Sequence, residues 1–447
     1  MFEFGRELKR LFEADGPPRD GLTGGDASLL EVLGLDLLRS EARAADIAAG
    51  RIGAKDPAQR RLEAARVWRE LARRTGDPAA LRNAALGAER AVQGFKATQR
   101  PKLWAAARCE QALSAMLGAE LYGDDGLNAA AQIALKDAVT AAPGSPAAAN
   151  ASGQLVRLAA RDVVRSGDYA AAKRAAAAFD EPVTAMTVLL RKGVSKSLLA
   201  DLRCDRAELL VGCAGRLKDA RLHEQAIVEL DTLSQQLDLA YEPLAWSRVQ
   251  TLRAGARVGF GETTGRIEEI AEGVEMLVTA LDALTPDHSP LDWARVQQAL
   301  ARALHALGEG SETDRAFQHA LSCYERALWA ARRQPALMLR AALAQGRANC
   351  LARRAELAAD PGMLDDAIED LRADLARLSP GRDPVGWAIA QVDLAQLYAA
   401  RLELCGADTD RAAAGMALSM AVDVFGEHGL RSLTDQACAT LEWLGSH

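Results

Sequence analysis

Several places along the chain set residues of reactive type at spacings that chemistry uses. His223-Glu224 opens like a zinc-protease helix, where two histidines four residues apart bind the metal and the glutamate activates water. The second ligand position is Ile227, so that chemistry is broken at its first requirement. Gly259-Phe260-Gly261 with Gly265 imitates a phosphate-cradling loop, but no strand pattern precedes it and no lysine follows in register. It reads as an inter-helix turn. His305 and His319 fall on two successive helical segments and can approach each other, yet two histidines without a third ligand make no metal site. Asp365, Asp366, Glu369 and Asp370 share a helix start, where carboxylates complement the dipole without any acid–base role. No serine stands in a nucleophile-elbow context. The reading is a protein that is not an enzyme, with no cofactor, no metal and no catalytic residue.

Binding is the alternative to reaction, and two sets of residues suit it. Arg66, Arg69 and Arg73 fall on one face of a helix and form a basic stripe. Arginine offers carboxylate two parallel hydrogen bonds, so an acidic peptide or a carboxyl terminus would suit that stripe. Local pairs such as Glu63–Arg66 and Glu70–Arg74 are the competing account, a solvated face that neutralises itself. Gln250, Gln297 and Gln391 lie on apolar helix faces, where a buried amide must find a partner in a neighbouring unit or face a groove. The acidic stretch from Glu262 to Asp287 gives the other end of the chain the opposite sign.

The elements that position these residues repeat. Pro57, Pro101, Pro146, Pro243, Pro290, Pro335 and Pro384 follow one another at about 44, 45, 97, 47, 45 and 49 residues; the long interval is two periods with a marker missing near Ser195–Lys196. Proline at the first helical position lacks only an N–H that has no partner there anyway. Asp56, Ser145, Ser289 and Asp383 precede four of them as caps. In the unit from Ser289 to Gln334, Trp293, Gln297, Leu300 and Leu304 make one inward face, and Gly308-Glu309-Gly310 ends the helix. Ala316, Ala320, Tyr324, Ala327 and Leu328 make the face of the second helix. Gly-Asp and Gly-Glu pairs at Gly76, Gly123, Gly167, Gly261 and Gly308 mark the hairpin turns. The unit near Ser195 lacks the proline and tryptophan, and keeps its second helix through Ala226, Ile227 and Leu230.

Pro290-Leu291-Asp292-Trp293-Ala294 followed by Gln297, with degenerate copies at Pro243 and Pro384, resembles the opening helix of the tetratricopeptide-repeat superfamily in its long-period bacterial variants. The likeness covers about residues 55–445 and is sharpest over about 240–400. The period is longer than the superfamily's usual repeat, and alanine mostly replaces the glycine of its first helix. HEAT-like repeats, the rival architecture, kink their first helix with an interior proline, whereas here proline stands at the start. The resemblance implies a right-handed superhelix of αα-hairpins whose concave face, lined by the first helices, binds peptides or proteins. The expected fold is all-α: an N-terminal cap or docking segment (1–53), a solenoid of about eight repeats (54–430) and a C-terminal capping helix (431–447).

Composition agrees. Alanine is abundant and aromatics are 4%, which favours helices that pack closely. A net charge of −7 argues against nucleic-acid binding, and the arginine-rich, lysine-poor balance fits a bacterial source. The seven scattered cysteines read as small buried hydrophobes in a reducing, cytoplasmic setting. Phe2, Phe4, Leu8, Leu11 and Phe12 line one side of a short helix that offers membrane contact, but Glu3, Glu7 and Glu13 favour a cap. Within Asp26–Leu38 a second helix is expected, and Leu433–Leu444 with Trp443 a closing one. The functional expectation is a scaffold or adaptor that holds a partner protein or peptide in its groove. A sensor of a peptide or small ligand, and a membrane-associated assembly factor, are the alternatives.

Overall fold

Six of the seven marker prolines stand at the first position of a long helix in the computed structural model, which describes residues 28–51, 55–190, 196–311, 313–406 and 408–446. Among the described residues two helices, α1 (Ser28–Val32) and α2 (Leu35–Gly50), come first. Eight antiparallel hairpins follow among the described residues. They pair α3 (Pro57–Thr75) with α4 (Pro78–Gly94), α5 (Pro101–Tyr122) with α6 (Gly126–Ala141), and α7 (Pro146–Ser166) with the divided α8 (Tyr169–Ala178) and α9 (Asp180–Leu190). Next are α10 (Lys196–Leu217) with α11 (Ala220–Ser234), α12 (Pro243–Thr264) with α13 (Ile267–Ala283), and α14 (Pro290–Ser311) with α15 (Asp314–Arg332). The last two are α16 (Leu337–Ala358) with α17 (Gly362–Arg377) and α18 (Pro384–Cys405) with α19 (Asp408–Glu427); α20 (Arg431–Ser446) closes the array. No strand occurs among the described residues, and the chain is an all-α solenoid. The amphipathic segment containing Phe2, Phe4, Leu8, Leu11 and Phe12 lies outside the described residues.

The capping grammar holds at three starts. Asp56 accepts from the Gln59 amide at 3.3 Å, Ser145 from Ala148 at 3.2 Å and Asp383 from Gly386 at 2.8 Å. Ser289 departs from it: its hydroxyl donates to Asp292 Oδ2 at 2.7 Å and orients that carboxylate instead. Pro335 also departs, lying in the turn two residues before α16 begins at Leu337.

The glycines divide into two kinds. Gly76, Gly123 and Gly167 end their helices in the left-handed conformation, as the turn reading expects. Gly261 and Gly308 instead lie inside α12 and α14, which run on to Thr264 and Ser311. There the missing side chain lets the second helix press in: a Cβ on Gly308 would sit 2.7 Å from the Phe317 ring, and one on Gly261 2.6 Å from Ile270. The phosphate-loop look-alike is therefore helix interior, and Gly265 is the turn. Two other breaks went unanticipated. Fully buried Phe179 interrupts the second helix of the third hairpin, and Leu33-Gly34 divides the N-terminal helix in two.

First helices form the inner layer and second helices the outer one, with the apolar core between them. In the fifth and sixth hairpins this core joins Val258, Ile270, Leu277, Leu300, Phe317 and Tyr324, each worth about 1.5–3 kcal/mol on burial. The solenoid also meets itself. Helix α3 packs on α14 and α5 on α16, so hairpin n touches hairpin n+5 and one superhelical turn takes five hairpins. The left-handed glycines are the points of approach: Gly76 lies against Leu291 and Ala336, and Gly123 against Met338 and Ser432. Ser432 at the start of α20 donates to the Gly123 carbonyl at 3.1 Å.

Candidate functional site

Closing one turn around five first helices leaves a central cavity of about 2130 Å³. Its wall comes chiefly from α3, α5, α7, α10 and α12, with the first two turns of α14 and with α1 and α2. Leu103, Leu113, Met116, Leu158, Leu198 and Leu252 give it apolar surface. Eleven carboxylates and eight basic side chains share that wall.

The charges form a belt, with one local group at Glu110 and a longer chain of pairs beginning at Arg73. Arg69 pairs with Glu110, and Arg66 approaches the same carboxylate at 4.0 Å. Arg73 binds both oxygens of Asp292 at 3.0 and 2.8 Å and both oxygens of Glu70 at 2.9 Å. Asp292 also meets Arg295 at 3.2 Å, and Arg295 reaches Glu120 at 2.9 Å. Arg157 links Glu120 to Asp205 at 3.7 and 3.6 Å. Arg248 then gathers Asp201, Asp205 and Glu208, which stand at successive turns on one face of α10. Fork-shaped arginine suits such a belt, since one guanidinium serves two or three carboxylates at fixed angles.

The electrostatics follow from these pairings. Burial works against the charge on Asp292 and Glu70, but the arginines beside them win and hold both carboxyls down at about 2. For Glu120 burial is likewise outweighed, by Arg295 and Arg157, and for Asp205 by Arg157 and Arg248. Asp201 goes the other way: its depth among the cavity's helices raises it and neighbouring Asp205 adds to the rise, while half of its side chain is open to the cavity.

Helix α1 reaches from α3 to α12 along the cavity. Glu31 Oε2 accepts from the Leu244 and Ala245 amides at 2.9 and 2.8 Å, capping α12 from more than 200 residues away. Burial pushes its carboxyl up to about 8 in spite of those bonds. His288 Nε2 lies 2.7 Å from the Glu31 carbonyl oxygen. The fully buried Arg74 donates to the Leu30 and Leu33 carbonyls and to Glu70, satisfying the last acceptors of α1 and fixing the break at Gly34.

Of the residues singled out from sequence, Arg66, Arg69 and Arg73 all line the cavity. None faces it as a free cation: their carboxylates come from other helices as well as their own, and Glu63 bonds Gln59 at 3.4 Å. Gln250, Gln297 and Gln391 are buried off the cavity wall, and the Gln297 side-chain oxygen has no hydrogen-bond partner. Trp246, Trp293 and Trp387 pack partly buried against the core. His305 stacks edge-on to Phe317 with ring centres 5.4 Å apart, while His319 accepts from Arg315. Acidic Glu269 and Glu272 pair with Arg257 on the outer layer. Sequence reading missed Glu31, Glu110, Glu120, Arg157 and the α10 triad. One signal was available: Arg248 and Arg295 each stand five residues after a marker proline, between apolar positions of the inner face.

Comparison with known proteins finds no matching family model and no matching curated protein. Among solved structures, one described as "Circular tandem repeat protein with novel repeat topology and enhanced subunit contact surfaces" is 16% identical. The match spans 92% of this chain and 95% of that one, at a TM-score of 0.27. A likeness at that level carries no argument, and the solenoid assignment rests on the helix packing itself.

Proposed function

We propose that the chain is a non-catalytic interaction scaffold of tetratricopeptide-like type, holding a segment of a partner protein in its central cavity. The observation that carries this reading is the cavity's size. Small-molecule sites run to roughly 300–1,000 Å³, and 2130 Å³ is at least twice that. A helix about 10–12 Å across, rising 1.5 Å per residue, occupies about 120–170 Å³ per residue, so the space suits some 13–18 residues. Proline at helix position one, rather than inside the first helix, supports the tetratricopeptide-like assignment over a HEAT-like one. All seven cysteines are free and five are buried, which supports a reducing cytoplasm. No helix among the described residues is long and apolar enough to cross a membrane.

Site-resolved photo-crosslinking tests the reading. A crosslinking residue at Leu113 or Leu158, on the cavity wall, is expected to trap one partner from lysate. The same residue at outward-facing Ile133 or Val228 is expected not to. Equal trapping from both faces, or trapping from the outer face alone, would overturn it.

A further inference from the structure

The wall of the cavity is not balanced in charge. Carboxyl groups outnumber basic groups by eleven to eight, and with Glu31 protonated at neutral pH ten charged carboxylates face the eight cations. Two places crowd carboxylates on the wall: α1 and α2 with Glu31, Asp36 and Glu41, and α10, where Asp201, Asp205 and Glu208 converge on the single guanidinium of Arg248. Asp205 has further help from Arg157, but Asp201 and Glu208 have side chains 50% and 57% exposed, each with one side on Arg248 and the rest open. A carboxylate offers about four acceptor sites, and one shared arginine fills only some of them. Beside Arg248, Ser247 is 2% exposed on the same cavity wall, and its hydroxyl has no partner. The basic stripe that pointed to an acidic guest is meanwhile matched internally, Arg69 by Glu110 and Arg73 by Glu70 and Asp292.

We infer that the cavity selects a cationic, apolar segment of a partner protein, whose arginine or lysine side chains seat on the Asp201–Glu208 face of α10. The inference rests on the scaffold reading and adds the partner's chemistry. Leucine-type surface on the wall receives the guest's apolar side, and the open carboxylate edges receive its cations. An acidic segment would face the same surplus as repulsion, which makes the surplus a device for rejection as well as capture.

Two synthetic amphipathic peptides of about 14 residues, equal in leucine and differing only in arginine against glutamate at the polar positions, are the probes. Binding is read by fluorescence anisotropy on the intact chain. The arginine peptide is expected to bind at least about tenfold more tightly, the scale of one charge-assisted hydrogen bond. Asp201→Asn with Glu208→Gln is expected to remove that advantage. Glu268→Gln with Glu275→Gln, a loss of equal charge on the outer surface, is expected to leave it unchanged. If the first pair melts early, Glu208→Gln alone, the more exposed of the two, serves in its place. Tighter binding of the glutamate peptide, equal losses in both variants or no binding of either peptide would each overturn the inference. The crosslinking at Leu113 and Leu158 uses neither peptide, so the scaffold reading stands or falls separately.

Discussion

Arg73 joins hairpin one to hairpin six, and replacing it by alanine tests whether the charge belt holds the superhelical turn closed. The wild-type side chain donates to Asp292, 219 residues away, and to Glu70 in its own helix. Removing one partner of a fully buried pair costs about 3–5 kcal/mol, while an exposed pair is worth about 0–1. Arg73 is 28% exposed, Asp292 17% and Glu70 13%, and each carboxylate keeps a second arginine, Arg295 or Arg74. The expected cost therefore lies between those limits, at about 2–3 kcal/mol. A cycle with Asp292→Asn should show coupling of about 1–2 kcal/mol, because the two groups touch directly.

The pH dependence supplies a second, independent reading. Asp292 and Glu70 are held at about 2, below their ordinary 3.8 and 4.5. Their contribution is present above those ordinary values and is lost as pH falls towards 2. The gap between wild type and Arg73→Ala should accordingly narrow from about pH 4.5 down to 2. Urea unfolding followed by circular dichroism measures the cost, taken from the first transition because repeat arrays need not unfold in one step. A cost under about 0.5 kcal/mol, or a gap unchanged with pH, would refute the closure argument. The same geometry makes Arg73→Glu a poor probe of partner binding, since it sets a carboxylate against Asp292 and opens the turn.

Other perturbations read single contacts. Glu31 is raised to about 8 from 4.5, so its stabilisation is present below about 4.5 and is lost as pH rises towards 8. Glu31→Gln keeps an acceptor for the Leu244 and Ala245 amides and should flatten that decline in urea midpoints across the window. Gly308→Ala should cost about 1–3 kcal/mol by overpacking against Phe317; added Phe317→Leu should recover part of it, and an unchanged melting temperature in the single variant would contradict the close crossing. Ser145→Ala should cost about 1 kcal/mol through the lost cap on the Ala148 amide, measured by thermal unfolding.

Much of this architecture is written locally. Proline with a preceding Asp or Ser fixes where a helix starts, and apolar steps of three and four fix which face turns inward. Ala316, Ala320, Tyr324, Ala327 and Leu328 are all buried as that spacing demands. Gly308 shows the limit of local reading: as a residue type it signals a turn, and only the Phe317 ring pressing on it explains a glycine in mid-helix.

What the chain alone determined was the hairpin, its period and the placement of Arg66, Arg69 and Arg73 together on one helix face. What the tertiary structure decided was which carboxylates pair with them and the space they surround. Small rotations between neighbouring hairpins add up over five units, and that sum brings α3 onto α14. No spacing within one repeat encodes it, so Asp292 could not be paired with Arg73, nor Glu31 with the start of α12, until the turn was closed.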